Sequence, residues 1–371
     1  MALGSDEEFD PIMTAHRVQL SDQKWHFQHG PIDLIIQAEG DPCAVEMAHA
    51  HAWYRFQNVL NELVAELPTL KTAIEPGARQ NPCLGETARQ MWQAAQAHAS
   101  LLPNGFITPM ACVAGAVAQE MLKSYAHASI TRAWINNGGD IALHLTPGTH
   151  VDIAWVTHPE RAKVSSLLES ASAMLPHSLR TVDGQFRVDH RMRVRGVATS
   201  GWRGRSFSFG IADSVTVLGS NATQADAAAS IIANAVNLDH PGIVRQRASS
   251  IKDDSDLGDK AVTVAVPDLN AQDVSKALEA GVDQAWSLSE DCGVQYVILC
   301  LADQVRFVDR VNTSLPSRLG LRAFVGAHEP HAPSPVQAWP TAVKSARQSP
   351  DHREQARHTG NSNLQARRCA Q

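Results

Sequence analysis

The chain has no Cys-x-x-Cys pair, no surplus of positive charge, no Gly-x-Ser-x-Gly elbow and no apolar run long enough to span a bilayer. Each absence closes off a class of function. Lys and Arg total 32 against 38 Asp and Glu, a formal net charge of −6. Nothing therefore supplies the positive field that a phosphate backbone requires, and no nucleic-acid partner is expected. The arginines between Arg191 and Arg205 are interrupted by apolar residues and suit a local anion site better than a duplex groove. The cysteines, Cys43, Cys83, Cys112, Cys292, Cys300 and Cys369, have neither zinc-site nor disulfide-frame spacing and are expected to be reduced thiols. The opening Met-Ala-Leu-Gly-Ser-Asp-Glu-Glu is acidic and lacks a basic n-region and an apolar h-region, so no secretory leader is expected. The expectation is a soluble, cytoplasmic protein with no membrane partner.

What is present is enough apolar residue for a sizeable core, 44% of 371 residues. Arg17 to Leu20 and Trp25 to Gln28 flank a polar turn and predict a hairpin, followed by a buried strand over Ile32 to Ala38. Asp41-Pro42 opens a helix to about Leu67, with Val45, Ala48, Ala52, Phe56, Leu60, Leu63 and Leu67 on one stripe. A second helix is expected from about Glu86 to Leu101. Thr108-Pro109 has the form of a helix start, hydroxyl cap then proline, before the small-residue segment Met110 to Leu122. Further strands are expected at Ala133 to Asn136, Ile141 to Leu145, His150 to Val156, Gln185 to Val194, Val215 to Leu218, Ala261 to Val266, Val294 to Leu301 and Gln304 to Asp309. Helices are expected over about Gln224 to Asn237 and Asp273 to Ala280. Beyond Gly326 the composition turns to Pro, His, Gln, Ser and Arg with few apolar anchors, so residues 327–371 are expected to be a disordered tail.

Three segments have the residue types that chemistry needs. In Asn136-Asn137-Gly138-Gly139-Asp140 two glycines permit close backbone approach to a ligand, and the polar residues could bind a ribose hydroxyl, a ring edge or a metal. The competing reading is a plain tight hairpin, for which Asn-Gly is the strongest ordinary signal. The second segment is Ala198-Thr199-Ser200-Gly201 with Gly204-Arg205-Ser206-Phe207-Ser208. Arg203 or Arg205 could pair with a phosphate, or both could be solvated loop residues. A serine nucleophile is not supported, since no neighbouring histidine supplies a base. The third is Thr223-x-x-Asp226 with Ser230. Asp226 and Ser230 fall on one helical face and are hard oxygen donors suited to Mg²⁺. Alone, the segment reads more readily as a capping box. His49 and His51, two apart on a helix, point in different directions and are not a metal pair.

Taken in order, these segments resemble a known family. Pro31 to Ile36, Ile107 to Ala111, Val113 to Ala118, Asn136 to Leu143, Ala198 to Gly201, Gly204 to Ser208, Gly210 to Asp213 and Ala225 to Val236 all look like an uncharacterised (UPF) bacterial and archaeal branch of the ApbE-like superfamily. The likeness runs from about residue 15 to 310. It implies an α+β, T-fold-like architecture of mixed or antiparallel sheets flanked by long helices. Its better-studied members are Mg²⁺-dependent FAD:protein FMN transferases, which split FAD and attach FMN to a Thr or Ser of a target flavoprotein. Their Asn-x-Gly-Gly-Asp-Ile turn is matched by Asn136, Gly138, Gly139, Asp140 and Ile141, which implies contact with a flavin nucleotide there, with Asn137, Thr199, Ser200, Gly201, Arg205 and Ser206 beside it. Their Ala-Asp-x-x-x-Thr metal motif is matched at Asp226, with Ser230 in place of threonine. Together with the backbone carbonyl of Ala114 or Gly115, these imply a Mg²⁺ site. The departures are specific. Ala114 stands where the transferases carry a lysine, and Gln119 where they carry an aspartate. Gly204 to Gly210 replaces the loop that holds their histidine. The resemblance thus implies either a Mg²⁺-dependent transferase or FAD-cleaving enzyme, or a flavin-binding protein that has lost the transfer chemistry.

Overall fold

The structure, a computed structural model, describes residues 14–21, 23–99, 106–155, 184–311 and 322–323. The chain divides into two units, Met1–Val325 and Gly326–Gln371. The second unit, and with it the expected tail, lies outside the described residues.

The first unit is built on a nine-stranded sheet. Its strands are β1 (His16–Ser21), β2 (Lys24–His29), β3 (Ile32–Gly40), β4 (Ile130–Asn137), β5 (Asp140–Leu145), β8 (Gly196–Ser200), β9 (Ser214–Gly219), β12 (Val294–Leu301) and β13 (Gln304–Asp309), in that spatial order. Every neighbouring pair is antiparallel. A three-stranded sheet combines β6 (His150–Trp155), β7 (Gly184–Asp189) and β14 (Arg322–Ala323). A two-stranded ribbon joins β10 (Val244–Arg247) to β11 (Ala261–Ala265). The principal helices are α1 (Pro42–Ala65), α2 (Glu86–Ala99), α3 (Val113–Leu122), α4 (Ala222–Ala235) and α5 (Ala271–Ser287). The described fold is therefore α+β with antiparallel sheets, as expected.

Side-chain alternation sorts these elements into layers. On β3, Ile32, Leu34, Ile36 and Ala38 are buried in the core shared with the helices, where they meet Val45, Ala48, Ala52, Phe56, Leu60 and Leu63 of the expected α1 stripe; α1 ends at Ala65, so Leu67 falls beyond it and is half-buried. The opposite face of the large sheet carries a second core. There Leu143 of β5, Val197 of β8, Leu218 of β9, and Tyr296, Ile298 and Cys300 of β12 join Ile153, Phe186 and Val188 of the small sheet. Because β12 is covered on both faces, its sequence is a near-continuous apolar run and not an alternating one. Asp41 caps α1 by accepting the Ala44 N–H at 3.0 Å.

Several local expectations are corrected. Thr108 makes no side-chain cap; its hydroxyl donates to Asp256 Oδ2 at 2.6 Å, and Pro109–Cys112 is a 3-10 turn ahead of α3. The strand expected from Gln185 to Val194 ends at Asp189, where the chain turns. Helix α5 runs through Ser287, longer than the expected segment, and β8 and β10 were not foreseen. Cys83, Cys112, Cys292 and Cys300 are free and buried. Cys43 is disulfide-bonded and departs from the expectation of reduced thiols.

Candidate functional site

The site forms where a hairpin, a helix start and an alanine-rich helix converge. Gly138 (φ 64°) and Gly139 (φ 118°) are the two-residue loop joining β4 to β5, a left-handed backbone that side chains resist. The hairpin reading is thus correct, and it also places functional groups. Asn136 Oδ1 accepts the Gly139 N–H at 2.8 Å and braces the turn. Asn137 pairs with Asp140 at the base of the loop. Both side chains lie on the buried, helix-facing side of their strands, as do Ile135 and Ala142. Asn137 Nδ2 donates to the Ala114 carbonyl at 3.1 Å, and Asp140 Oδ1 accepts the Thr199 N–H at 3.1 Å.

Helix α4 brings Asp226 to the same place. The cap of α4 is Asn221, whose Oδ1 accepts the Gln224 N–H at 2.9 Å. The capping-box reading of Thr223 and Asp226 is therefore corrected: the true cap lies two residues before Thr223. Asp226 Oδ2 reaches across to the start of α3 and accepts the Gly115 N–H at 2.9 Å; the Ala114 N–H also donates to this carboxylate. These are donors that a helix start leaves without intrahelical partners. The approach requires Gly115, because a Cβ there would sit 2.8 Å from Asp226 Cβ and closer still to the Ala222 carbonyl oxygen. One turn along α4, the Ser230 hydroxyl donates to the Ala111 carbonyl at 3.0 Å. A further turn along, Asn234 Oδ1 accepts from the Phe209 N–H at 2.9 Å and the Ser208 hydroxyl at 3.0 Å.

Asp140 and Asp226 are both buried, and burial is the main reason that both carboxyls are held well above the usual carboxylate range. The charge of Asp140 raises Asp226 further, against the pull of the two backbone N–H groups. Asp140 is eased down by the Thr199 N–H and by the guanidinium of Arg205. That guanidinium lies over Gly138, where a Cβ would be 2.8 Å from its Cζ. Arg203, the other candidate for an anion, is committed: its Nε donates to Asp213 Oδ1 at 3.0 Å, and its guanidinium stacks 4.4 Å from the Trp202 ring. Cys112 is buried nearby; burial first, then Asp226 and Asp140, push its thiol up, so it is no thiolate nucleophile.

The structure thus brings Asn137, Gly138, Gly139, Asp140, Thr199, Arg205, Asp226 and Ala114 together. Thr199, Arg205 and Ser206 are exposed, Ser200 is half-buried, and Gly201 is packed under the backbone carbonyl of Asp213. Ser230 faces the strap before α3. His49 and His51 diverge as expected: His49 is buried against the Tyr125 hydroxyl at 2.8 Å and His51 is exposed. Gln119 Oε1 accepts the Ala222 N–H at 3.0 Å and satisfies another donor at the start of α4. Sequence alone did not single out Phe106, Phe209 and Lys260, which meet beyond Asn234. They are too far apart in the chain for any local pattern to link them.

Among the described residues, no cluster of three or more His, Cys, Asp or Glu side chains could hold a metal. The oxygen donors at this site are two carboxylates and a backbone carbonyl. Such a sparse, hard set matches Mg²⁺, which keeps waters and takes one or two protein carboxylates. No helix among the described residues is long and apolar enough to cross a membrane.

Comparison with known proteins places this arrangement in a family. The chain is 31% identical over 237 residues to a UPF0280 protein of Methanopyrus kandleri, covering 62% of this chain and 83% of that one. It is 28% identical over 222 residues to a UPF0280 protein of Methanococcoides burtonii, covering 59% and 80%. Against a UPF0280 protein of Methanosphaerula palustris the figures are 30% over 219 residues, 59% and 78%. The family model described as AbpE bacteria matches residues 16–307, from β1 into β13 with every helix of the site, and the chain belongs to that family.

Proposed function

We propose that this protein binds a flavin nucleotide, FAD or a close relative, together with Mg²⁺, and that it acts on the pyrophosphate as an FAD:protein FMN transferase or an FAD-cleaving enzyme. The observation that carries this reading is the pair of buried carboxyls, Asp140 and Asp226, beside a double-glycine turn. Two such groups in one low-dielectric pocket repel each other as anions, and a divalent cation would relieve both at once. Asp226, Asp140 and the Ala114 carbonyl would hold the cation, with Ser230 one turn away. Bound there, Mg²⁺ would neutralise pyrophosphate oxygens and ease displacement at phosphorus. Arg205, exposed and without a hydrogen-bonded partner among the described residues, would take a phosphate oxygen. Gly138 and Gly139 leave room for the ligand to approach the backbone, Asn137 holds the Ala114 carbonyl, and the Thr199 N–H orients the Asp140 carboxylate.

A second reading, nucleotide binding without transfer, is favoured by one specific feature. The segment Gly204 to Gly210 contains no histidine, and no histidine figures among the groups acting on Asp140 or Asp226. A base for the acceptor hydroxyl is then missing from this chain's described site.

Calorimetric titration with FAD, with and without Mg²⁺, followed by analysis for released FMN and AMP, separates these readings. Asp226→Asn should leave the fold intact, because Asn221 is the cap, and should abolish Mg²⁺-dependent binding. For a site saturated at a hundredfold over Kd, the lost ligand stabilisation would be about 2.7 kcal/mol. Unaltered Mg²⁺-dependent FAD binding by Asp226→Asn would sink the proposal.

A further inference from the structure

Helix α4 presents Asp226, Ser230 and Asn234 at four-residue spacing on one face. Asp226 and Ser230 hold one stretch of chain, by the N–H of Gly115 and the carbonyl of Ala111, and Asn234 holds another, by the N–H of Phe209. Two segments therefore run side by side along this face. The strap of residues 106–115 has Gly115 at the carboxylate end. The loop of residues 205–210 has Arg205 near that end, over Gly138, and is pinned at the other, where Gly210 packs against the Ala233 carbonyl too closely to admit a Cβ. Eight residues separate Asp226 from Asn234, about 12 Å of helix.

The far end of this track is aromatic. Phe106 and Phe209 meet edge to face, ring centroids 6.2 Å apart at 67°, and both are half-buried. The ammonium of Lys260, an exposed residue just before β11, sits 4.0 Å from the Phe106 ring centroid. The Thr263 N–H on β11 donates to the Ser208 carbonyl at 2.8 Å, which ties the ribbon to this loop. The two ends thus differ in chemistry: oxygen donors and a guanidinium at one, apolar rings and a single ammonium at the other. A nucleotide has the same division, a charged phosphate linked through a sugar or polyol to a planar ring.

We infer that Phe106, Phe209 and Lys260 form the ring subsite of the nucleotide site, and that it selects a planar heterocycle bearing carbonyl oxygens. The inference rests on the functional reading above. Half-exposed phenyl rings supply stacking surface without hydrogen-bond demands. Lys260 carries only donors, so it favours a ring edge of acceptors over one that presents an amino group. This would make the flavin ring the better occupant and adenine the worse.

The test is calorimetric titration of the full chain with FAD and, separately, with inorganic pyrophosphate, both with Mg²⁺. Phe209→Leu should lower the ratio of FAD to pyrophosphate affinity by about fivefold or more, the low end for loss of one base–aromatic stack. Lys260→Gln, at an exposed position that cannot unfold the protein, should lower the same ratio by about two- to fivefold. If Phe209→Leu does not fold, Lys260→Gln decides alone. Binding of both probes with a ratio unchanged in the folded variants overturns the ring subsite and leaves the functional reading standing. Failure of the wild-type chain to bind either probe with Mg²⁺ overturns the functional reading, and the subsite with it.

Discussion

Replacing Gly115 by alanine tests the geometry of the site most directly, because helix propensity and tertiary packing predict opposite signs. Gly115 lies in the first turn of α3, where alanine is the better helix former by up to about 1 kcal/mol. On propensity alone the variant is more stable. The packing predicts otherwise. The added methyl would lie 2.8 Å from Asp226 Cβ and 2.9 Å from the Ala222 carbonyl carbon, with the carbonyl oxygen nearer still. Restoring ordinary contact requires α3 and α4 to part by about 1 Å. That movement would stretch the Gly115 N–H to Asp226 Oδ2 bond, now 2.9 Å, to about 3.9 Å, outside hydrogen-bond range. Overpacking costs about 1–3 kcal/mol, and loss of a hydrogen bond to a carboxylate about 1.5–3 kcal/mol. Relaxation exchanges one for the other, so the cost is about 1–3 kcal/mol, and after the propensity gain the expected net loss is about 1–2 kcal/mol. Urea denaturation of the full chain should show a lower midpoint at an unchanged slope. Stability equal to or above wild type would refute the close approach of the two helices and the placement of Asp226 built on it.

Two further outcomes follow from the same structure. Gly138→Ala places a side chain at φ 64°, a left-handed backbone that costs an L residue about 1–2 kcal/mol. Displacing the flexible Arg205 guanidinium adds little to that. Gly138→Asn, which tolerates this backbone, should retain most of the stability, and equal denaturation midpoints for wild type and both variants would refute the turn. Burial, foremost, lowers His49 and His98 to about 4. Above an unfolded value near 6.5 both states are neutral; below it the unfolded chain takes up a proton that the native histidine refuses, so the His98 contribution falls with falling pH. Asp140 and Asp226, with raised values, oppose this by favouring the folded state in acid, so the effect is read as a difference. Wild-type stability relative to His98→Gln should drop by roughly 2 kcal/mol from pH 6.5 to pH 5. A difference independent of pH would show that His98 is not held neutral by burial.

Much of this protein was legible in one dimension because the relevant physics is local. The α1 stripe from Val45 to Leu63 follows from 3.6-residue periodicity, and the β4–β5 turn from glycines that alone accept its backbone. The Asp41-Pro42 start of α1 was found from its cap. Thr108-Pro109 has the same local form, yet its hydroxyl turned to Asp256, 148 residues away, because a tertiary acceptor outcompeted the helix start. The same reason explains Asp226. Its sequence context suits a capping role, but Asn221 caps α4, and the carboxylate is left to cross to α3 because Gly115 has no side chain to keep the helices apart. The candidate residues could be named from the sequence. That Asp140 and Asp226 are buried close enough to act on each other, that Arg203 is committed to Asp213 while Arg205 lies over the turn, and that Phe106, Phe209 and Lys260 meet, depends on contacts between segments tens to more than a hundred residues apart. Such pairings are decided by how layers pack and which buried polar groups find partners, and no local pattern in the sequence encodes them.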